Sequence, residues 1–396
     1  MRNIVCDVPA LRFPEFTGEW ERHKLSEVCS FYSGGTPSSS KKEYYNGNIP
    51  FIRSGELHKD YTELFITEAG LSNSAAKLVE TGDLLLALYG ATSGDIAISK
   101  IKGAINQAIL CIRTKQNKKF IESVWNKHVE RLLQTYLQGG QGNLSADIVK
   151  NIPFYFANSN EQDKLAKFIS LLDERIATQN KIIEKYESLI QAMCDTLVEQ
   201  ETQQVTLSFS DFGQSYLGLS GKSAEDFGEG YPFITYMNVY QNQIIDLTDV
   251  GLVKINETEQ QSVVRYGDIL LTLSSETPEE VGMGAVYLGE TYPLYLNSFC
   301  FGIHITDESK IYPPFLAYYV SSQSFRKAVY PLAQGSTRFN LQKSDFMKKK
   351  FSFPVIEKQR KIYSTLKTYS DKLIVEKQIM RLLCNQKCYL LRQLFI

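Results

Sequence analysis

The sequence predicts an α+β protein built as a duplicated unit, with two globular α/β domains separated by two long antiparallel coiled-coil helices in pseudo-twofold relation. Two observations lead to this fold class. Apolar residues recur in steps of three and four over residues 161–203, the a/d seam of a long amphipathic helix. The same steps recur over residues 357–396, each position 197 residues after its counterpart, as from Ile169 to Leu366.

Each seam contains one polar residue at the equivalent position, Gln179 in the first helix and Glu376 in the second. A narrow apolar stripe on so long a helix needs a partner, so we expect the two helices to pack together as an antiparallel spacer. Gln179 and Glu376 then either form a polar layer that fixes the register or point sideways into water, and the sequence leaves both open. The predicted spacer residues are Ile169, Leu172, Ile176, Gln179, Ile183, Tyr186, Leu366, Tyr369, Leu373, Glu376, Met380 and Leu383.

The two globular halves repeat one order of elements but have diverged more than the helices. For the first half the pattern predicts a helical turn or strand over 20–31, a polar turn that enters a buried strand over 79–89, and a helix over 118–138. It also predicts strands over 48–53, 95–99, 104–113 and 144–156. In the second half, residues 231–237, 264–273 and 295–305 match three of these strands. We therefore expect globular domains at 1–159 and 204–356 and long helices at 160–203 and 357–396.

The composition bounds the class of protein. The chain has 396 residues, and 43 Lys and Arg nearly balance 44 Asp and Glu, which argues against a polycation that coats nucleic acid but leaves room for a local basic face. No apolar run approaches 18 residues and the first residues lack an apolar signal core, so we expect a cytoplasmic protein without a membrane span. Seven scattered Cys and four His without zinc-ligand spacing predict free, mostly buried thiols and no metal site.

Catalytic motifs are missing from the sequence. It contains no P-loop, no Gly-x-Ser-x-Gly and no nuclease Pro-Asp followed by Glu/Asp-x-Lys. The tetrapeptide Asn-Ile-Pro-Phe at 151–154 is similar to that of amino-methyltransferases, but no Phe-x-Gly-x-Gly segment accompanies it to hold S-adenosylmethionine. A strand leading into the long helix is the favoured interpretation of this tetrapeptide, and we expect a non-catalytic protein.

Polar, Gly-rich loops remain as the candidate functional surface. Arg, Asn and Gln can pair with base edges, while Lys, Ser and Thr can hold phosphates. Lys343 and the lysines at 348–350 form a basic cluster, which is either a solvated edge or a phosphate anchor. The candidate DNA-binding residues of the first half are Gly35, Thr36, Pro37, Ser38, Lys41, Arg53, Ser54, Tyr89, Ser93, Asn106, Gln107, Gln141 and Asn143. Those of the second half are Lys222, Tyr236, Asn238, Ser274, Ser275, Asn297, Ser298, Gln334, Ser336, Thr337, Arg338 and Lys343.

Several segments, taken in order, resemble the specificity subunit of type I restriction–modification enzymes over essentially the whole chain. They are RFPEF at 12–16, GEW at 18–20, GGTPS at 34–38, GNIPFI at 47–52, GDLL at 82–85 and a Gln-Gly segment followed by Asn-Leu before each long helix. The second half has no counterpart of Gly-Gly-Thr-Pro, and residues 213–223 occupy that place, which leaves DNA contacts there open.

The resemblance implies a non-catalytic subunit whose two target recognition domains read a bipartite, asymmetric site on double-stranded DNA. The long helices would set the spacing and dock two methylation subunits, which would bring S-adenosylmethionine and methylate adenine. Restriction/translocation subunits would bring ATP and Mg²⁺ for cleavage, so this chain would carry no cofactor. The alternatives are a coiled-coil adaptor with protein-binding domains and no DNA recognition, and a self-contained modification enzyme, for which the cofactor motif is missing.

Overall fold

The computed structural model describes residues 7–137, 144–290 and 292–396. By their contacts these residues form two compact units: unit 1 comprises residues 1–180 and 378–396, and unit 2 comprises residues 181–377. Each unit therefore contains one globular part and one half of each long helix. The boundaries expected for four separate domains stay a prediction, because the contacts divide the long helices instead of separating them from the globular parts.

The globular part of unit 1 is a set of small sheets packed with helices. Its elements are β1 (Glu21–Lys24), α1 (Leu25–Val28), β2 (Cys29–Ser33), β3 (Tyr45–Ile52), β4 (Phe65–Ile66), α2 (Glu68–Ser72), β5 (Lys77–Val79), β6 (Leu84–Ala87), β7 (Ile96–Ile98), β8 (Gly103–Ile105), β9 (Ile109–Thr114), α3 (Lys118–Leu137), α4 (Ala146–Asn151) and β10 (Pro153–Phe156). The sheets have the orders β2-β9-β6-β7, β4-β3-β8-β5 and β1-β10, and β3 and β8 run parallel.

The globular part of unit 2 follows the same plan. After the first long helix, α5 (Ser159–Glu199), come β11 (Gln204–Ser208), β12 (Gly213–Leu217), β13 (Phe227–Ile234), α6 (Tyr236–Gln241), β14 (Val250–Val253), β15 (Ile269–Thr272), β16 (Ser274–Ser275), β17 (Gly284–Val286), β18 (Tyr295–Leu296), β19 (Cys300–Ile305), α7 (Pro313–Tyr319), α8 (Gln323–Val329), β20 (Ala333–Gln334), β21 (Phe339–Leu341), α9 (Lys343–Lys348), β22 (Lys350–Pro354) and the second long helix α10 (Ile356–Leu394). The sheet β12-β19-β15-β17 corresponds to β2-β9-β6-β7, and the parallel pair β13–β18 corresponds to β3–β8.

The strand predictions need two corrections. The predicted strand over 144–156 contains the short helix α4, and only Pro153–Phe156 forms a strand. The predicted strand over 104–113 is two strands, β8 and β9, because the side-chain oxygen of Asn106 accepts a hydrogen bond from Ala108 N at 3.1 Å and turns the chain.

The duplicated Gly-Asp pairs form equivalent turns before β6 and β15. Gly82 and Gly267 have φ of 89° and 86°, a region that favours glycine. The carboxylate of Asp83 accepts from Glu80 N at 3.0 Å, and that of Asp268 accepts from Arg265 N at 2.8 Å. The aspartate carboxylate therefore stabilises the turn that precedes each buried strand.

Each long helix has a buried glutamine in its first turn. Gln162 donates to Ala157 O at 2.7 Å, and Gln359 donates to Pro354 O at 2.8 Å. Both side chains are almost fully buried, so each fixes the angle at which its helix leaves the preceding strand. In unit 1, Arg12 adds a two-pronged ion pair to Glu161, with both nitrogen–oxygen distances at 2.7 Å.

The long helices are antiparallel within each unit, as the seams predict. In unit 1 the start of α5, with Leu165 and Ile169, shares a core with Leu391 and Leu394 from the end of α10. In unit 2 the end of α5 shares a core with the start of α10; the members from the helices are Ile190, Cys194, Val198, Ile362 and Leu366. The predicted apolar seam residues are all buried or partly buried.

The polar residues of the seams differ in burial. Gln179 is 8% exposed, so the interpretation that places its side chain in water is wrong. Glu376 is partly buried, and both residues make polar interactions. A polar layer between the two stays a prediction.

Candidate nucleic-acid interface

In unit 1, several of the predicted DNA-binding residues lie at the ends of two parallel strands. Ile52 of β3 pairs with Ile105 of β8, so Arg53 and the Asn106–Gln107 turn leave the sheet at the same edge. Carboxyl ends of parallel strands commonly form binding sites, because the connecting loops converge there. This edge is the first part of the candidate interface.

The Gly-Gly-Thr-Pro loop packs directly against this edge. A Cβ on Gly34 would lie 1.8 Å from Ile105 O, and a Cβ on Gly35 would lie 2.5 Å from Ala75 Cβ, so larger residues do not fit. The hydroxyl of Thr36 donates to Gln107 Oε1 at 2.6 Å. Thr36 and Gln107 are exposed, and the hydrogen bond between them holds the glutamine amide at the surface.

A third segment of unit 1, the turn after β6, completes this surface. Leu88 N donates to Ala108 O at 2.8 Å, and the Tyr89 hydroxyl donates to Gln107 O at 2.7 Å. Leu144 N donates to Leu88 O at 2.9 Å, which brings the chain that follows residues 138–143 to the same place. Gln141 and Asn143, both predicted to bind DNA, lie outside the described residues.

The cations of the first-half loops have partners within the loops. Arg53 pairs with Glu56 at 2.8 Å and with Glu63 at 3.1 Å. Burial acts to raise the pKa of Glu56, but its hydrogen bonds with Arg53 and Thr62 bring that pKa below its ordinary value. Lys41 donates to the Tyr44 hydroxyl at 2.9 Å. Carboxylates therefore balance the charge of Arg53, whereas Lys41 keeps its charge because its partner is a neutral hydroxyl.

Unit 2 builds an equivalent edge from different side chains. Ile234 of β13 pairs with Leu296 of β18, so Tyr236 and the Asn297–Ser298 turn follow the parallel strands. A Cβ on Gly218 would lie 2.1 Å from Asn297 O, so Gly218 holds the position that Gly34 holds in unit 1. The second half lacks the Gly-Gly-Thr-Pro motif, but residues 213–223 occupy its place, and Gly218 makes the close backbone approach that Gly34 makes in unit 1.

A hairpin made by β20 and β21 covers this edge of unit 2. Leu273 N donates to Phe299 O, and Leu341 N donates to Leu273 O, both at 2.8 Å. These two bonds match those of Leu88 and Leu144 in unit 1. The Arg338 guanidinium lies 5.7 Å from the centre of the Phe299 ring. The residues of the hairpin predicted to bind DNA are all exposed: Gln334, Ser336, Thr337 and Arg338.

Three second-half residues that the sequence proposes for DNA contact have other roles, and a fourth is buried without a partner. Asn238 is fully buried and donates to Asp246 O at 2.7 Å and Asp249 O at 2.5 Å, which folds its own loop. The Lys222 ammonium is 2.5 Å from Glu259, with its side chain 4% exposed. Ser275 is buried and donates to Glu280 at 3.0 Å. Ser274 is buried, and its hydroxyl has no partner among the residues described.

The sequence reading missed Phe299, whose side chain is 55% exposed beside Asn297 and Ser298. The sequence could have indicated Phe299, because a large aromatic residue stands there in a turn between two strands, where a polar residue is usual. The basic cluster at 348–350 is only partly engaged, since Lys350 pairs with Asp211 at 2.7 Å. The tetrapeptide at 151–154 is the end of α4 and the start of β10, with Phe154 buried, as the favoured interpretation expected.

Features of other classes are missing from the described part of the chain. No cluster of three or more potential metal ligands occurs among residues 7–137, 144–290 and 292–396. None of the helices in these ranges carries an apolar stretch of the length that crossing a bilayer requires. Six cysteines in these ranges are free thiols, of which Cys111, Cys194 and Cys300 are buried.

Comparisons with known proteins agree with this architecture. The model of the type I restriction modification DNA specificity domain matches residues 17–188 and 218–383. The MjaVIII specificity subunit of Methanocaldococcus jannaschii is 22% identical over 94% of this chain and 90% of that subunit. The EcoR124I/EcoR124II specificity subunit of Escherichia coli is 27% identical over 41% of this chain and 43% of that subunit.

Two solved structures share the fold. The type I restriction–modification S subunit from M. genitalium has a TM-score of 0.55 and 16% identity, covering 98% of this chain and 99% of that one. A chain solved in work on complex assembly and conformational transition of the type I R-M system has a TM-score of 0.57 and 15% identity, covering 94% and 96%. These findings support DNA specificity and not the adaptor alternative. The chain, with two matching domains in one sequence, belongs to the type I restriction–modification DNA specificity family.

Proposed function

We propose that each globular part of this specificity subunit reads one half of a split, asymmetric sequence on double-stranded DNA. The proposed reading domains are residues 1–159 and 204–356, and the proposed spacer helices are 160–203 and 357–396. The observation that carries the proposal is that both units join the same three segments by equivalent main-chain bonds but present different side chains there. One backbone with two sets of contacts suits two different half-sequences.

Gln107 is the proposed base-reading residue of the first half. Its Oε1 accepts from Thr36, which leaves the amide nitrogen free to donate and a second lone pair on the oxygen free to accept. A glutamine amide presented in this way pairs with the N6 and N7 edge of adenine in the major groove. Neighbouring Ser38, Ser54, Ser93 and Asn106 would contribute phosphate or water-mediated contacts.

Arg338 is the proposed base-reading residue of the second half. Its guanidinium lies over the Phe299 ring on an exposed hairpin, which restricts its rotamers before binding. A guanidinium fork pairs with O6 and N7 of guanine. Lys343, Lys348 and Lys349 follow the hairpin on and beside α9 and would hold phosphates.

The outer faces of the long helices are the proposed docking surfaces for two methylation subunits. In unit 1, Leu171, Leu382 and Tyr389 are 55%, 66% and 57% exposed on these helices. In unit 2, Ile374 and Val375 are 55% and 51% exposed. Leu382 and Tyr389 are seven residues apart along α10, so within unit 1 they form a second apolar stripe that suits a partner helix.

The chemistry would reside in the partner subunits. Methylation subunits would bind S-adenosylmethionine and methylate adenine, and restriction/translocation subunits would bind ATP and Mg²⁺. The proposed location is the cytoplasm, where bacterial and archaeal chromosomal DNA is found.

The test is methylome sequencing of cells that express the chain with its methylation partners. We expect Gln107→Ala to relax one position of one half-sequence and Arg338→Ala to relax one position of the other. Each loss of discrimination should be about 1–3 kcal/mol, or roughly 5- to 150-fold. Arg360→Ala is the matched control for Arg338, because Arg360 also lies over a ring, that of Tyr312 at 4.4 Å, away from the proposed surface. Changes in both half-sequences from either variant would reject the assignment.

A further inference from the structure

Phe299 places a large apolar ring in the polar turn that follows β18. Its side chain is 55% exposed, so the fold gains little of the free energy that burial of an aromatic ring provides. It shares the turn with Asn297 and Ser298, two predicted DNA-binding residues. Exposure alone is common for single apolar residues, so the position of the ring and its neighbours decide its role.

The same turn in unit 1 contains Ala108 in place of Phe299. Asn106 Oδ1 accepts from Ala108 N at 3.1 Å, and Asn297 Oδ1 accepts from Phe299 N at 2.9 Å. The carbonyl oxygens of Ala108 and Phe299 each accept a main-chain hydrogen bond at 2.8 Å from the residue that follows β6 or β15. Because the turn forms in the same way around an alanine, its backbone does not require the phenylalanine ring, which is therefore available for binding.

The turn of Phe299 and the hairpin of β20 and β21 are tied to one residue. Leu273 N donates to Phe299 O, and Leu273 O accepts from Leu341 N of the hairpin, both at 2.8 Å. Gly335 shapes the hairpin before Arg338, since its φ is 141° and a Cβ there would lie 2.0 Å from Arg338 O. The main chain therefore fixes where the Phe299 and Arg338 side chains begin before any ligand binds.

The Arg338 guanidinium covers one face of the Phe299 ring, 5.7 Å from the ring centre. Both side chains are exposed, and Arg338 forms no ion pair or side-chain hydrogen bond with the part of the chain that the structure describes. Burial raises the pKa of Tyr236, and the charge of Arg338 opposes this rise, so the guanidinium also lies near the start of α6. The pair therefore presents one guanidinium fork and one ring to the same partner.

The covered face limits how the Phe299 ring can contact DNA. A ring that enters between two base pairs needs both faces free to stack. Arg338 occupies one face of Phe299, so the other face and the ring edge remain. In the major groove, the apolar group that the bases present is the C5-methyl of thymine, and phenylalanine is one of the side chains that contact it. The geometry therefore favours a methyl contact over insertion.

We propose that Phe299 contacts the C5-methyl group of a thymine in the half-sequence read by unit 2, in a base pair next to the guanine that Arg338 contacts. The inference rests on the proposed function, because it takes Arg338 to lie in the major groove. Neighbouring base pairs are about 3.4 Å apart, and the guanidinium lies 5.7 Å from the ring centre, which suits adjacent base pairs better than a single base. The half-sequence of unit 2 would therefore contain a thymine, on either strand, beside that guanine.

The test uses the complex of this chain with its methylation subunits. Methylome sequencing gives the split sequence, and the position that Arg338→Ala relaxes identifies the half-sequence of unit 2. Each thymine of the whole sequence is then replaced in turn by 2′-deoxyuridine, which keeps the base pair but lacks the methyl group. We expect one replacement, next to that guanine, to raise the dissociation constant of the wild-type complex about fourfold, which corresponds to about 0.8 kcal/mol for one methyl group.

Phe299→Ala gives unit 2 the residue that unit 1 has at this turn. It should bind the thymine duplex at least about fourfold more weakly than the wild type, and the deoxyuridine replacement should then have no further effect. Phe227→Ala is the matched control, because Phe227 is 39% exposed in the same unit but begins β13, whereas the reading edge lies at the end of that strand. This control should keep the fourfold preference for thymine. Thermal melting of both variants checks that they fold.

Equal affinity of the wild type for thymine and deoxyuridine at every position would overturn the methyl contact, even where Arg338→Ala relaxes a guanine and so supports the proposed function. A thymine preference that persists in Phe299→Ala, or that lies in the other half-sequence, would also overturn it. Weaker binding by Phe299→Ala without any thymine preference in the wild type would indicate insertion between base pairs instead. If the wild type methylates no split sequence, the proposed function fails and this contact fails with it. The deoxyuridine scan of the wild type needs no variant, so it decides the question whatever the melting temperature of Phe299→Ala.

Discussion

Replacing Arg326 should loosen the turn at residues 279–282 of unit 2, which lies next to the hairpin of β20 and β21 that we propose to contact DNA. Arg326 lies on α8, and its guanidinium donates to Gly282 O and Glu279 O at 2.6 Å and to Val281 O at 2.8 Å. Burial lowers the pKa of Arg326, and the described residues offer it no carboxylate partner. The arginine therefore serves as a three-pronged clamp on main-chain oxygens.

The magnitude follows from those three bonds. Charge-assisted hydrogen bonds contribute about 1.5–3 kcal/mol each, and removing the donor leaves carbonyl groups unsatisfied. Burying a guanidinium without a carboxylate costs part of this gain. Arg326→Met keeps most of the apolar stem and removes the donors. We therefore expect the free energy of local opening of the turn to fall by about 2–4 kcal/mol. That corresponds to an increase of roughly 30- to 1000-fold in the local opening equilibrium.

Hydrogen–deuterium exchange measures this opening directly. A relevant amide is Met283 N, which donates to the Thr272 hydroxyl at 3.0 Å. Peptides covering 273–286 should exchange faster in Arg326→Met, and peptides covering 84–98 in unit 1 should not. Lys327→Met is the matched control, since Lys327 is exposed on the same helix and makes no hydrogen bond within the described residues.

An increase in exchange below about fivefold at 273–286 would refute the clamp, because it would mean that the three bonds contribute less than 1 kcal/mol together. An equal increase in both units would also refute it, since that pattern reports global destabilisation. If the clamp exists, the same variant should weaken the base preference in the half-sequence assigned to unit 2 and leave that of the other half-sequence unchanged.

Two further predictions concern the spacer and the acid turn. A heptad inserted in α5 between Ala177 and Lys185, with a matching heptad in α10 between Ile374 and Leu382, should lengthen the unread gap of the DNA site by about three base pairs, because seven helical residues span about 10 Å. Methylome sequencing that shows altered half-sequences at an unchanged gap would contradict the spacer. Asp83→Asn should destabilise unit 1 at pH 7 by about 1–2 kcal/mol, since Asp83 accepts from Arg113 at 2.9 Å and from Glu80 N at 3.0 Å. Burial acts to raise the pKa of Asp83, but the bonds from Arg113 and the Glu80 amide lower it overall, so its stabilisation is complete above the unfolded pKa near 4 and is lost as the pH falls through the folded pKa. Urea unfolding at several pH values should show the difference shrinking below about pH 4, with exposed Asp60→Asn as control, and a difference that stays constant across pH would contradict this account.

Long-range order was predictable because it depends on patterns that repeat over many residues. The a/d steps of both helices showed that each needs a partner, their offset of 197 residues showed the duplication, and the shared cores within each unit agree with the antiparallel pairing that we expected. The Gly-Asp turns were equally visible, since a glycine with positive φ before a buried aliphatic run is a local feature.

The site was less predictable because its contacts join distant segments. The apolar residues of 104–113 fit one strand equally well, and the break depends on a single side-chain oxygen of Asn106. Asn238 was proposed as a DNA contact for its chemistry, but residues 8 and 11 positions later bury it. The role of Gly218 arises only from the close approach of Asn297 O, which no local pattern encodes.

The duplication explains how such a protein can change what it reads without refolding. In unit 1, Trp125 Nε1 donates to Gly94 O at 2.7 Å, and in unit 2 Arg326 donates to Gly282 O at the equivalent turn. Both glycines have positive φ, so the backbone of the turn is kept while the side chain that ties it differs. Exposed residues on the hairpin contribute even less to the stability of the fold. Surface substitutions typically change the free energy of unfolding by no more than about 0.5 kcal/mol. Arg338, the proposed reading residue, can therefore be exchanged at little cost to the fold, whereas Arg326, which holds the Gly282 turn, cannot.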